Sequence, residues 1–88
     1  MPPYEVIAAP GVEKDLRRLT VQVQRRVLQR MEGLRENPLP YGVERLSGSP
    51  ERYRIRVGDY RIVYAIDNDV RRIIVLRARH RRDVYRSL

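Results

Sequence analysis

The chain contains no cysteine, no tryptophan and no phenylalanine, and only one histidine (His80) and one lysine (Lys14) among 88 residues. Without cysteine there is no disulfide scaffold, no thiolate zinc site and no thiol nucleophile. With a single histidine, a structural zinc site would depend on carboxylates. Ser–His–Asp chemistry would have only His80 with Ser47, Ser49 or Ser87, none of them on a nucleophile elbow. Gly48 and Gly58 lack the strand–glycine loop–helix context of a phosphate-binding loop. The acids are scattered, with no pair that stands out for glycosidase or two-metal chemistry. No apolar run approaches the ~20 residues of a membrane-spanning helix, and the start, Met1-Pro-Pro-Tyr-Glu5, lacks the basic segment of a signal peptide. These absences predict a cytosolic protein that needs neither metal nor cofactor.

What the chain has is arginine. Nineteen basic residues face eleven acidic ones, a net charge of +8 with a pI near 10.8. Every basic residue but Lys14 is an arginine. Such a balance points to polyanions, nucleic acid first and an anionic membrane surface or an acidic protein behind it. The charge is also unevenly placed. Residues 1–44 carry seven basic and six acidic side chains, a net of +1; residues 45–88 carry twelve arginines against five acids, a net of +7. The binding surface is therefore expected in the second half. A hydrophobic share of 42% and a charged share of 34% fit one globular domain over residues 1–88, with a core that hides roughly 60–65% of the unfolded surface.

Periodicity sorts the chain into an α+β order. Residues 4–8 read as a strand ended by Pro10-Gly11. Val12, Leu16 and Leu19 then fall on one helical face, and Thr20 stands where a second helix wants its N-cap. Val23, Val27, Met31 and Leu34 form the apolar stripe of that helix, which Asn37-Pro-Leu-Pro40 closes. After a loop over residues 41–50 the period becomes two: Tyr53-Arg-Ile-Arg-Val57, a Gly58-Asp59 turn of type II′, a return strand over 60–66, a turn at 67–69 and a third strand over 70–78. Residues 79–88 have room for one or two helical turns. The expected architecture is β-α-α-β-β-β, an N-terminal strand and an antiparallel helical hairpin packed on an antiparallel sheet, with a short C-terminal helix.

A two-residue turn fixes the pairing of the hairpin. Val57 faces Tyr60, Arg56 faces Arg61, Ile55 faces Ile62 and Tyr53 faces Tyr64. One face then carries tyrosines and aliphatics for the helices, and the other carries Arg54, Arg56 and Arg61. Like charges directly opposite are unfavourable by ~0.2–1 kcal/mol. Two readings account for them: a solvated outer face in an arginine-rich protein, or a cluster shaped for phosphate, whose oxygens guanidinium forks match in pairs. The third strand has two registers. A turn of two or four residues puts Arg72, Ile74 and Leu76 on the arginine face, whereas a turn of three puts Arg71, Ile73, Val75, Arg77 and Arg79 there.

A site of Arg54, Arg56, Arg61, the arginines at 77–82, His80 and Tyr85 suits RNA cleavage by the substrate's own 2′-hydroxyl. Guanidinium groups stabilise the phosphorane-like dianion, and a tyrosine can stack on an unpaired base. Arg45, Arg52, Arg77, Arg81 and Arg82 are further candidates for phosphate contact. His80 is either a proton shuttle or a surface residue.

The run over residues 53–64, Tyr-Arg-Ile-Arg-Val-Gly-Asp-Tyr-Arg-Ile-Val-Tyr, resembles the RelE toxins of toxin–antitoxin modules, as do the end Arg79-His-Arg-Arg-Asp-Val-Tyr85-Arg and the loop Leu46-Ser-Gly-Ser49. The resemblance covers nearly the whole chain. It implies the RelE/ParE-like fold and a ribosome-dependent endoribonuclease that cuts mRNA in the A site and so blocks translation. It also implies a cognate acidic antitoxin, and operator DNA met only through the antitoxin complex. Family positions fall on Arg54, Arg56, Arg61, Arg79 and the base-stacking Tyr85, and they favour the three-residue turn that brings Arg79 beside Arg61. The best-studied members carry lysine at the first two positions, and a guanidinium releases a proton far less readily. Ser47 stands where a basic loop residue is expected. The similar ParE toxins share the fold but poison DNA gyrase, and a non-catalytic nucleic-acid or antitoxin binder is the third alternative.

Overall fold

The structure, a computed structural model, describes residues 3–48 and 51–82. Seven elements follow in order: β1 (Glu5–Ala8), α1 (Pro10–Arg17), α2 (Val21–Gly33), β2 (Glu44–Arg45), β3 (Arg52–Val57), β4 (Tyr60–Asp67) and β5 (Arg72–His80). They build a five-stranded sheet in the order β1-β5-β4-β3-β2. The antiparallel core β3-β4-β5 is the expected one, and β1 joins it parallel to β5, so the sheet is mixed. Two residues of the expected 41–50 loop, Glu44 and Arg45, pair antiparallel with β3 as a fifth strand.

Local chemistry accounts for the helices. Pro10 opens α1, where its missing N–H costs nothing. Thr20 caps α2, its hydroxyl oxygen accepting from the Val23 N–H at 3.3 Å. The stripe Val27, Met31 and Leu34 is buried against Ile55, Val57, Ile62, Tyr64, Ile66, Ile73 and Val75, with Val23 packed at its margin. Burying such side chains contributes about 1.5–3 kcal/mol each. Tyr64 is fully buried, and burial raises its hydroxyl pKa well above the ordinary tyrosine value. It therefore stays protonated and donates to the Pro38 carbonyl at 2.6 Å, pinning the chain beyond α2 to the sheet.

The β3–β4 hairpin has the expected register at every pair, and positive φ is confined to Gly58 (59°) in its two-residue loop, as a type II′ turn requires. The β4–β5 connection differs from expectation. Asp67 still pairs with Arg72, so the loop has four residues, 68–71, rather than three. Asp67 Oδ1 accepts from the N–H groups of Asp69 and Val70, and Arg71 takes the left-handed φ of 52° that closes the loop. Near this loop Arg72 and Ile74 accordingly lie on the arginine face. Between Val63 and Tyr64 the register then shifts: Tyr64 pairs with Val75 but Val63 pairs with Arg77, and Leu76 is skipped. This bulge flips the parity of β5, so Arg77 and Arg79 reach the arginine face after all, Arg79 opposite Arg61. Both alternative registers hold, one on each side of the bulge. Arg79 and His80 thus end β5 instead of starting a helix; the remainder of the expected C-terminal helix, residues 83–88, lies outside the described residues.

Candidate nucleic-acid interface

The face of the sheet turned away from the helical core carries Arg52, Arg54 and Arg56 from β3, Arg61 from β4, and Arg77 and Arg79 from β5. Alternation places the first four, and the bulge the last two. Arg56 and Arg61 are paired across the strands, yet their side chains part. Arg61 is buried, and its Nη1 donates to the Gly58 carbonyl at 3.2 Å and the Tyr60 carbonyl at 3.0 Å. Arg56 lies 3.7 Å from Glu44. The repulsion expected of an opposed pair is thereby relieved, and Arg61 is held at the hairpin tip by the carbonyls of its own turn.

Two carboxylates organise the cluster from opposite sides, and both were missed by sequence reasoning. On the β3 side, Glu44 of the short β2 accepts from Arg54 Nη2 at 2.6 Å. Hydrogen bonding to Arg54 and its charge hold the Glu44 carboxyl below the usual range, although the group is solvent-exposed. On the β5 side stands Asp15, whose side chain is 1% exposed. It accepts from the Ala78 N–H at 3.0 Å, from Arg79 Nε at 2.9 Å and from Arg77 Nη2 at 3.1 Å. β1 pairs with β5 only as far as Val75, where the Ala9 N–H bonds the Val75 carbonyl. Beyond that point the β5 edge has lost its neighbour, and the Asp15 carboxylate takes the place of a strand.

Gly11 belongs to the same arrangement: a Cβ there would overlap Arg77 Nη1, so any larger residue would make the flexible end of that side chain shift. The signal for Asp15 was in the sequence. It lies three residues after Val12 on the apolar face of α1, and a charge on such a face calls for a partner.

Not every expected residue joins the cluster. His80 pairs with Tyr60, on the helix side, with its ring edge-on to Tyr60 at 5.4 Å, and its Nδ1 accepts from the Arg82 N–H. It lines a cleft of about 180 Å³ with Asp15, Arg18, Leu19, Tyr60, Ala78 and Arg79. Arg45 likewise sits on the Tyr53 side, its guanidinium 5.7 Å from the Tyr53 ring centre. Arg52 is on the arginine face, exposed, opposite Ala65. Arg81 and Arg82 are exposed in the turn after β5, and Tyr85 lies outside the described residues. Among the described residues no group of three or more His, Asp and Glu side chains converges as a metal site would require, and no helix is long and apolar enough to cross a membrane. Chemically, the face offers several guanidinium groups at fixed positions, a surface suited to phosphate oxygens.

Residues 6–85 match the family model described as the ParE toxin of type II toxin–antitoxin systems. The putative toxin RelE1 of Methanocaldococcus jannaschii is 34% identical over 79 residues, covering 86% of this chain and 88% of that protein. Toxin RelG of Mycobacterium tuberculosis is 31% identical over 85 residues, covering 96% and 98%. Among solved structures, the archaeal RelE–RelB complex from Pyrococcus horikoshii OT3 superposes with a TM-score of 0.79 at 31% identity, covering 90% of this chain and 96% of that one. The chain belongs to the ParE toxin family within the RelE/ParE superfamily, and is a toxin of a type II toxin–antitoxin system.

Proposed function

We propose that this toxin is a metal-free endoribonuclease that cuts mRNA in the ribosomal A site, and that the arginine face is its active surface. The observation that carries the reading is the convergence of Arg54, Arg56, Arg61, Arg77 and Arg79 on one sheet face. The reaction is attack of a 2′-oxygen on the neighbouring phosphorus with departure of the 5′-oxygen, which leaves a cyclic phosphate and transfers the 2′-proton, in net, to the leaving group. Arg61 and Arg79 stabilise the charge that builds on the phosphorus oxygens, Arg54 and Arg56 hold the flanking phosphate, and Tyr85 stacks on a base. A guanidinium does not give up its proton at neutral pH, so Arg54 acts through charge. His80, on the opposite face, stays outside the proton path. Arg52, Arg81 and Arg82 extend the phosphate track. Ribosomes place the activity in the cytosol, and an acidic antitoxin covers the basic face until it is removed.

Gyrase poisoning is the second reading, favoured by the match to the ParE toxin model. A translation extract and a supercoiling assay separate the two. The nuclease reading expects ribosome-dependent cuts in mRNA that fall strongly in Arg61→Ala, Arg79→Ala and Tyr85→Ala. Intact mRNA with blocked supercoiling would transfer the protein to the gyrase class. Intact mRNA with active gyrase would leave a binding protein.

A further inference from the structure

We propose that Asp15 is a positioning residue that, together with Gly11, locks Arg77 and Arg79 into their working orientation, so that α1 takes part in the active surface. The proposal rests on the nuclease reading above. Asp15 is the one carboxylate among the described residues that receives three donors from the same strand: one backbone N–H and two guanidinium groups. The backbone bond fixes the carboxylate to β5 itself. The two arginines are therefore held relative to the strand that displays them, and not merely to a movable helix.

The arrangement is tighter than folding alone requires. The Arg77 side chain passes over Gly11, where any Cβ would overlap it. Its Nε is buried and has no hydrogen-bond partner among the described residues. An arginine needed only for solubility would turn to solvent; this one is drawn in, with its side chain 18% exposed, as that of Arg79 is 20% exposed. Nε of Arg79 is committed to Asp15, and this bond sets the plane in which its two terminal nitrogens lie. Orientation of that plane decides whether a phosphate meets a fork or an edge.

The test uses the full-length protein with Asp15→Ala, which removes both Oδ1, the oxygen the two guanidinium groups share, and Oδ2, the acceptor of the Ala78 N–H. Two readouts are taken together: the Arg79 Nε–H resonance, which the bond to Asp15 is expected to protect from exchange and which is identified by its loss in Arg79→Lys, and cleavage of mRNA on purified ribosomes. A correctly folded Asp15→Ala protein is expected to lose the protected resonance and to lower kcat about 10-fold or more, while KM changes less than about threefold. Retention of the resonance, or a wild-type kcat, overturns the proposal. Gly11→Ala keeps the carboxylate and displaces Arg77 alone, and it decides the matter if Asp15→Ala does not fold. A lowered kcat with native melting supports positioning, and an unchanged kcat refutes it. If the unaltered protein cuts no ribosome-bound mRNA, the nuclease reading falls by itself, and the resonance alone judges whether Asp15 holds Arg79.

Discussion

The two ends of the arginine face use the same side chain in opposite physical regimes. At the β5 end, Arg77 and Arg79 close on a carboxylate that is 1% exposed. At the β3 end, Arg54 and Arg56 meet Glu44, whose side chain is 48% exposed. Breaking a buried ion pair leaves a charge stranded in low dielectric and costs about 3–5 kcal/mol, whereas a solvent-exposed pair contributes about 0–1. The first end is therefore built to hold its guanidinium groups still. At the second the carboxylate is open to solvent, and a phosphate can take its place at Arg56, whose side chain is 62% exposed. On the nuclease reading such a surface has use for both: an exposed arginine for capture, held ones for the transition state.

The largest expected effect comes from removing the buried partner. Asp15→Ala should cost about 3–5 kcal/mol in urea unfolding, since it strands the Ala78 N–H and two guanidinium groups together. A loss under about 1 kcal/mol would erase the distinction between the two ends. Next, Arg61→Ala should lower ribosome-dependent cleavage about 100-fold, as loss of a charge-stabilising group does. Its two bonds to turn carbonyls make a smaller contribution to stability, on the order of 1 kcal/mol, which chemical unfolding would read separately. Gly11→Ala follows, with less than about 1 kcal/mol of change in unfolding, because the flexible end of Arg77 gives way and alanine favours helix α1.

Glu44→Gln should move the urea midpoint least, within the error of replicate curves at pH 7. Its signature is in the pH dependence. The folded-state pKa of Glu44 lies below its ordinary value because of Arg54, so the pair's small contribution is complete above the unfolded pKa. It disappears as pH falls through the folded one. Melting temperature plotted against pH should thus decline slightly less in acid for Glu44→Gln than for the unaltered protein. The opposite order would mean that Arg54 does not hold the carboxylate.

How much of this was legible in the sequence follows from the range of each signal. Alternation over residues 53–64 gave the hairpin faces because period two survives without knowledge of distant partners, and the Gly58-Asp59 turn set the register. Thr20 and the stripe from Val23 to Leu34 were equally local. The bulge at Leu76 was hidden, since an inserted residue reverses parity without leaving a mark in composition, and two registers had seemed exclusive that in fact coexist. The parallel docking of β1 beside β5 and the two-residue strand β2 depend on partners far along the chain. His80 was grouped with the arginines by sequence proximity, although parity with Ala78 puts it on the other face. Asp15 lies 63 residues from the N–H it accepts. Its place on an apolar helix face marked it as needing a partner, but nothing local said which.

The most direct test of the account compares single substitutions at the two ends, Arg79→Ala and Arg56→Ala, in steady-state cleavage of mRNA on purified ribosomes. On the nuclease reading the held Arg79 acts in the transition state and the exposed Arg56 in capture. The account predicts that Arg79→Ala lowers kcat by about 100-fold with KM nearly unchanged, while Arg56→Ala raises KM and spares kcat. Equal losses of kcat at both positions, or a kcat untouched by Arg79→Ala, would contradict it.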